Sequence, residues 1–455
     1  MAESVINTLA GGLEQVRAVF ADYSNLDTTI LSMIKISKVA EISRWGYRVP
    51  YVKWRGGLLA KVSLDGGALA DGTGPKQNYF TAGYIPSQLA FELTDEQIRT
   101  SKNGAQAVKD VLADLMANVT EIMSAHDNIH FLGDGTGFLT NASSAKPSAT
   151  TLTFAGTTDT LHLNRIFKGM AVDIWDSAGT TLRAGGPYVI DSIDYENGIV
   201  TFTSAPTGLT SGDRLAVANV DEFGPAAPTT KSSTWPGDRL TNGAGMTGDS
   251  WRHGVEYVNS AVTSEYYLGR LKSTYPELMP TVVNGGTYSV NWDMLELAKN
   301  KLEQARDKTV VNGLIGLMHN CQRDTIKENQ VRIANWDISS SAGKYHDFPP
   351  QVASGEIFNL NGVPGFSSKL CDKARIDYVN PANWGRVESE PPDYYREPDG
   401  TTKFKAKLSS SKYTMAWQFW IISVFDWVCH DPGASMYLSN LAVKKGYRPT
   451  ETYAS

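Results

Sequence analysis

Cysteine is scarce, with three residues in 455: Cys321, Cys371 and Cys429. They are odd in number, far apart and without CxxC spacing, which excludes a disulfide scaffold and a zinc ribbon and fits a reducing cytosol. A basic start followed by an apolar run is also missing: the opening "MAESVINTLAGGLEQ" does not read as a signal peptide. The strongest apolar run, "YTMAWQFWIISVFDWVC" at 413–429, falls short of the roughly 20 residues that cross a bilayer, and Gln418 and Asp426 interrupt it. A soluble chain is therefore expected. The run's aromatic and β-branched content predicts one or two buried strands instead. Positive charge is not in excess either, since 42 Lys and Arg face 48 Asp and Glu for a net charge of -6. A sequence-specific DNA binder carries a basic face, so any contact with nucleic acid is expected to be weak or indirect.

What is present is a globular balance, 41% hydrophobic and 20% charged, in a chain long enough for two or three domains. The 41 glycines and 20 prolines are spread along it and predict many turns. Residues 5–40 hold short helical patterns with no core partner, an arm that packs on something else. Apolar and polar residues partly alternate in "RWGYRVPYVKWRGG" at 44–57, and Pro50 makes this an edge strand or ribbon. A Gly-rich tip follows, with Gly66, Gly67, Gly72, Gly74 and Pro75, and "YFTAGYIPSQLAFELT" at 79–94 returns as a second strand. Together they predict a long hairpin, which is marginal in water unless it lies on another surface.

The period changes after Thr94, a good helix N-cap. Val108, Val111, Leu112, Leu115, Val119, Ile122 and Met123 advance in three- and four-residue steps. They predict a helix of roughly 30 residues, about 45 Å long, with Gly133 as its C-cap. Short strands at even spacing predict a small barrel or sandwich over 150–221, with Asn197-Gly198 as a two-residue hairpin turn. Beyond it come a helix in "SWRHGVEYVNSAVTSEYY" and a second, capped by Asn291, in "NWDMLELAKNKLEQARDK". An apolar strand "VVNGLIGLMHN" follows, and the tail adds strand patterns in "GEIFNLNGVPGFSS" and "ARIDYVNPANWGRVE".

Five stretches carry residue types that chemistry uses. "GDGTG" at 133–137 resembles a phosphate cradle, but a helix precedes it where a strand should, and no GK[ST] follows. It also has too few acids for a calcium loop, so a turn is expected. His126 and His130 stand four apart on the long helix, yet Asp127 replaces the Glu of a zincin and no third ligand is evident. "MHNCQRD" groups His319, Asn320 and Cys321, and "VCHD" groups Cys429, His430 and Asp431. Catalytic Cys and His usually meet from distant parts of a chain, so buried thiols are expected. The hairpin's basic Arg48, Lys53, Arg55, Lys61 and Lys76 interleave with Tyr47, Tyr51 and Trp54. Such a pattern suits single-stranded nucleic acid, but in an acidic chain it better suits a ribbon lying on an acidic neighbour.

Taken in order, these parts resemble the major capsid proteins of tailed bacteriophages with the HK97-type fold, over roughly two thirds of the chain. The likeness is carried by "RWGYRVPYVKWRGGLLAK" and "TAGYIPSQLAFELTDEQI" for the extended E-loop, and by "AVKDVLADLMANVTEIMSAHDNIHFLGDGTG" for the spine helix and its exit. "FNLNGVPGFSSKL" and "YVNPANWGRVE" extend it near the end. The resemblance implies an α+β HK97-like capsid fold with an inserted small β-barrel or sandwich. Its parts are an N-terminal arm at 1–40, an E-loop hairpin at 41–94, and the spine helix with part of the P-domain at 95–149. The inserted β domain covers 150–221, a return to the P-domain 222–288, and the A-domain with the remaining P-domain strands 289–455.

The same resemblance implies no enzymatic activity, no cofactor and no metal. It implies self-assembly as hexamers and pentamers into an icosahedral virion shell around double-stranded DNA, assembled in the host bacterial cytoplasm and touching the DNA only weakly and non-specifically. A portal and a decoration protein are the other implied partners, and, because the arm is too short for a cleaved scaffolding segment, either a separate scaffolding protein or an already trimmed chain is implied; no membrane is involved. Inter-subunit contact would fall on Arg48, Lys53, Trp54, Arg55, Lys61 and Lys76. A covalent cross-link from Lys61 or Lys76 is not expected, since no acceptor can be assigned. The competing classes are a cytosolic cysteine- or metal-dependent hydrolase and another virion part such as a tail tube or portal.

Overall fold

β-branched and aromatic runs dominate the architecture, which is mixed α+β. The computed structural model describes residues 35–38, 47–54, 76–82, 85–94, 127–134, 137–140, 142–154, 163–177, 181–195, 197–217, 254–268, 270–305, 313–328, 358–360, 362–394, 405–409 and 412–443. Most of the expected arm, the hairpin tip with Arg55 and Lys61, and the span 95–126 of the expected spine helix with His126 lie outside the described residues.

The apolar run at 413–429 forms most of one long strand, β20 (Lys412–Cys429), the axis of a five-stranded sheet. On one side β20 pairs antiparallel with β18 (Trp384–Tyr394) and, nearer its start, with β19 (Lys405–Ser409). On its other side lies β4 (Ile85–Thr94), from Phe425 opposite Ile85 to Ala416 opposite Thr94. At the far edge β1 (Lys35–Lys38) runs parallel to β18. The end of the N-terminal arm, expected to be helical and without a core partner, is thus a strand of this sheet, fixed by its pairing with β18.

Residues 127–131 are helical and end on this sheet. The ring of Phe131 meets Trp384 and Trp427 edge-on at 5.2 and 5.3 Å, contacts of about 0.5–1.5 kcal/mol each beyond their burial. The Gly133 N–H donates to the His130 carbonyl at 3.2 Å, closing the helical turn.

After the GDGTG loop the chain forms a second sheet of six strands, in the order β10-β7-β8-β9-β6-β5. These are β5 (Ala145–Ser148), β6 (Thr151–Thr153), β7 (Ala171–Trp175), β8 (Tyr188–Asp194), β9 (Ile199–Phe202) and β10 (Arg214–Val217). The two edges are joined by the segment leading into β5. Leu139 and Ser143 donate backbone N–H groups to Leu215 and Asp213 beside β10, and Ser144 donates to Thr153 of β6. The sheet therefore closes into a small barrel around Leu152, Val172, Ile174, Ile190, Val200 and Leu215. The β8–β9 turn spans 195–198, since Asp194 pairs with Ile199. The two-residue Asn-Gly turn is corrected to four because Asp194 accepts from the Asn197 N–H at 3.1 Å and extends the loop.

The third sheet holds six strands, in the order β13-β21-β17-β14-β16-β15. They are β13 (Thr281–Asn284), β14 (Ile315–Met318), β15 (Phe358–Leu360), β16 (Val363–Ser367), β17 (Ile376–Val379) and β21 (Met436–Ser439). Against it packs a helix at Trp292–Ala305, whose Leu295, Ala298 and Leu302 are buried. Asn291 caps it, accepting from the Met294 N–H at 2.8 Å. Where one helix was expected in 250–267, Val255–Val258 (α1) is the helical part among the described residues, and β11 (Tyr266–Tyr267) then pairs with β12 (Arg270–Leu271). The physical reason is local: the Asn259 side chain donates to Asp377 at 2.9 Å, and the Lys272 ammonium donates to the Ser260 carbonyl. Both draw the chain out of the helix. The Trp292–Ala305 helix is α2.

Candidate assembly surface

The hairpin read from the sequence is real in part. β2 (Tyr47–Trp54) pairs antiparallel with β3 (Lys76–Ala82), from Tyr47 opposite Ala82 to Trp54 opposite Lys76. The expected return strand at 79–94 is shared between two sheets: its first part lies in β3, and its second half is β4, which pairs with β20 and not with β2. Thus β1 and β4 lie on opposite edges of the β20 sheet, and the segment between them carries the β2–β3 ribbon. This two-stranded ribbon is bonded to no other sheet among the described residues. Eight residues of β2 reach about 26 Å at 3.3 Å per residue. Pro50 opposes Tyr79 in a strand that pairs on one side only among the described residues, the edge setting in which proline is tolerated.

The ribbon positions the candidate contact residues. Trp54 and Lys76 are cross-strand partners, Arg48 opposes Thr81, and Lys53 falls at the register shift between Val52 and Trp54. The sequence brought Trp54 and Lys76 into one group only by composition; the register brings them together.

The barrel is fastened to the rest of the chain by a buried arginine that sequence reading did not pick out. Arg165 donates to Glu256 of α1 at 2.8 Å, to the Leu132 carbonyl at 3.4 Å and to the Leu370 carbonyl at 3.2 Å. Burial pushes the Glu256 carboxyl up, and Arg165 and Arg375 oppose that shift. Arg375 in turn grips Asp377 through Nε and Nη2 at 2.7–2.9 Å and stacks on the Tyr437 ring at 4.0 Å. No spacing rule marks Arg165, because its partners come from distant segments.

Where they are described, the residues that suggested chemistry are engaged in local packing and hydrogen bonds. Asp134 and Gly137 of GDGTG lead into the barrel: Gly137 takes φ 82°, and Phe138 bridges to Ala216. Cys321 is fully buried, and its Sγ faces the Lys373 carbonyl at 3.3 Å. Burial pushes its thiol up to about 12. The Nδ1 of His319 accepts the backbone N–H of Cys321 at 3.1 Å, so the ring serves the start of the 320–328 helix. The backbone of Cys429 is held at both N–H and carbonyl by the Tyr267 hydroxyl, each at 2.9 Å. Burial lowers the pKa of the neighbouring His430. Among the described residues no group of three or more His, Cys, Asp or Glu converges as a metal site, and no helix is long and apolar enough to cross a membrane.

No family model matches the chain, and no curated protein matches it in sequence. Among solved structures, it is similar to the cyanophage A-1(L) capsid asymmetric unit, with 11% identity, a TM-score of 0.45, and coverage of 91% of this chain and 93% of that one. It is similar as well to the capsid of the native GTA particle, with 10% identity, a TM-score of 0.42 and coverage of 92% and 91%. A third is the mature capsid of bacteriophage PhiM1, with 9% identity, a TM-score of 0.39 and coverage of 91% and 87%. These are loose superpositions, and the functional reading rests on the chain's own elements.

Proposed function

We propose that the chain is the major capsid subunit of a tailed phage, HK97-like in fold, which assembles as pentamers and hexamers into an icosahedral shell around double-stranded DNA. The observation that carries this reading is the β2–β3 ribbon, a two-stranded sheet hydrogen-bonded to no other sheet among the described residues. A ribbon of two strands is marginal in water, so a neighbouring subunit supplies its support. Its basic and aromatic residues Arg48, Lys53, Trp54, Arg55, Lys61 and Lys76 are the contact candidates. The order of parts in the sequence supports the same reading, with the barrel as the inserted domain. Head-to-tail contacts of this kind close rings. A net charge of -6 suits a wall that releases DNA, since a basic wall would hold phosphate tightly. A separate scaffolding protein, a portal and a decoration protein are the partners this role calls for, and the chain acts without catalysis, in the virion.

The test is native mass spectrometry of the purified chain with its genomic scaffolding partner. Pentamers and hexamers support the reading, and loss of both on reversing Arg48 and Lys53 to Glu places the contact on the ribbon. A chain that stays monomeric with every partner tried overturns it. The hydrolase reading is disfavoured by the buried Cys321 thiol, which donates to the Lys373 carbonyl, and by the His319 Nδ1, which accepts the Cys321 backbone N–H.

A further inference from the structure

One face of α2 packs on the third sheet, and the opposite face carries a pattern that matches itself. Asp293, Leu297 and Lys301 follow at i, i+4 and i+8, and all three are exposed, Leu297 by 46%. Spacing of four places them on one stripe, about 12 Å from Asp293 to Lys301. Within the helix neither charge has an opposite charge three or four residues away: Asp293 looks to Glu296 and Leu297, and Lys301 to Leu297 and Ala298 or Gln304 and Ala305. Among the described residues neither makes an ion pair. Lys299, by contrast, has Glu296 and Glu303 at helical spacing.

A lone exposed leucine is ordinary, and an acid early and a base late both suit the helix dipole. The dipole does not account for an exposed leucine midway between two unpaired charges of opposite sign. We infer that this stripe is a two-fold contact with α2 of a second copy of the chain. A dyad through Leu297 sets Leu297 on its counterpart and places each Asp293 opposite the other copy's Lys301. Ridges of i±4 spacing interdigitate at a crossing near -50°, with axes about 8–10 Å apart. A two-fold contact is isologous, so it joins copies that ring-forming, head-to-tail contacts leave apart. This inference goes beyond the shell reading and does not need it. One helix face buries less than the roughly 1,200 Å² of a stable interface, so the contact is weak alone and adds to others in an assembly.

The test uses Leu297→Cys in a Cys371→Ser background, concentrated or assembled, with a short bis-maleimide. A 297–297 cross-linked dimer is expected. Asp293→Lys or Lys301→Asp alone should lower its yield about fivefold, and the two together should restore it, because exchanged charges still match across a dyad. Circular dichroism confirms that each variant is folded. Absence of the dimer in the folded Leu297→Cys protein, or failure of the double swap to rescue, overturns the inference. Shells without the cross-link remove this contact and leave the capsid reading; the cross-link without rings or shells does the reverse.

Discussion

Gly254 packs its Cα against the backbone of Gly133: a Cβ added there would lie 2.8 Å from the Gly133 nitrogen and closer still to the carbonyl oxygens of Gly133 and His130. The same Gly133 carbonyl accepts the Tyr257 N–H at 3.3 Å, so the start of α1 is seated on the end of the 127–131 helical turn. Gly254→Ala should therefore cost about 1–3 kcal/mol by overpacking against backbone that cannot rotate away. Denaturant midpoints check this. Gly169→Ala has open space around its Cβ but φ +84°, and should cost about 1 kcal/mol from backbone strain alone.

Arg165→Met leaves the Glu256 carboxylate buried without its nearest cation, and should destabilise by about 3–5 kcal/mol. Burial already raises the Glu256 pKa above its ordinary 4.5. A carboxyl raised on folding contributes stability that is full below pH 4.5 and lost as pH rises through the folded value. Removing Arg165 raises it further, so the deficit should be smallest near pH 4.5 and largest at neutral pH. Chemical denaturation at the two pH values checks this, and an equal deficit at both contradicts it.

The thiols should divide by burial. Cys321 and Cys429 are buried and Cys371 is partly exposed. Burial pushes Cys321 to about 12 and raises Cys371 and Cys429 further, so the three differ in solvent access and not in ease of ionisation. At neutral pH a thiol reagent should label Cys371 alone in the native monomer and all three after denaturation. Rapid native labelling of Cys321 would revive it as a nucleophile.

Tyr267→Phe removes the hydroxyl that bonds both the N–H and the carbonyl of Cys429. About 1–3 kcal/mol should be lost from the orphaned groups. Burial raises the Tyr267 pKa well above 10, so its contribution holds below pH 10 and is lost as pH rises through the folded value. Phenolate absorbance should show Tyr267 ionising only as the protein unfolds, and the variant should have a shallower alkaline transition.

Local signals were legible where one segment decided the outcome. The run at 413–429 predicted burial and strand, Asn291 predicted a cap, and Pro50 predicted a ribbon, all on physical grounds contained in a few residues. Partnership was not legible. "YFTAGYIPSQLAFELT" alternates throughout, and nothing in it says that its first half joins β2 while its second joins β20, more than 300 residues away. The β15–β16 hairpin carried a signal that went unread: Asn361-Gly362 separates Leu360 from its partner Val363, with Gly362 at φ 86°. Arg165 had no such signal, because its hydrogen bonds depend on Leu132, Glu256 and Leu370 meeting in space.

The central claim is that this chain builds a closed shell from copies of itself. Negative-stain microscopy with sedimentation of the recombinant protein, expressed with its scaffolding partner, tests it most directly. The account predicts round shells or capsomer-sized rings sedimenting far ahead of the subunit. A single folded species of 49.6 kDa under every such condition would contradict it.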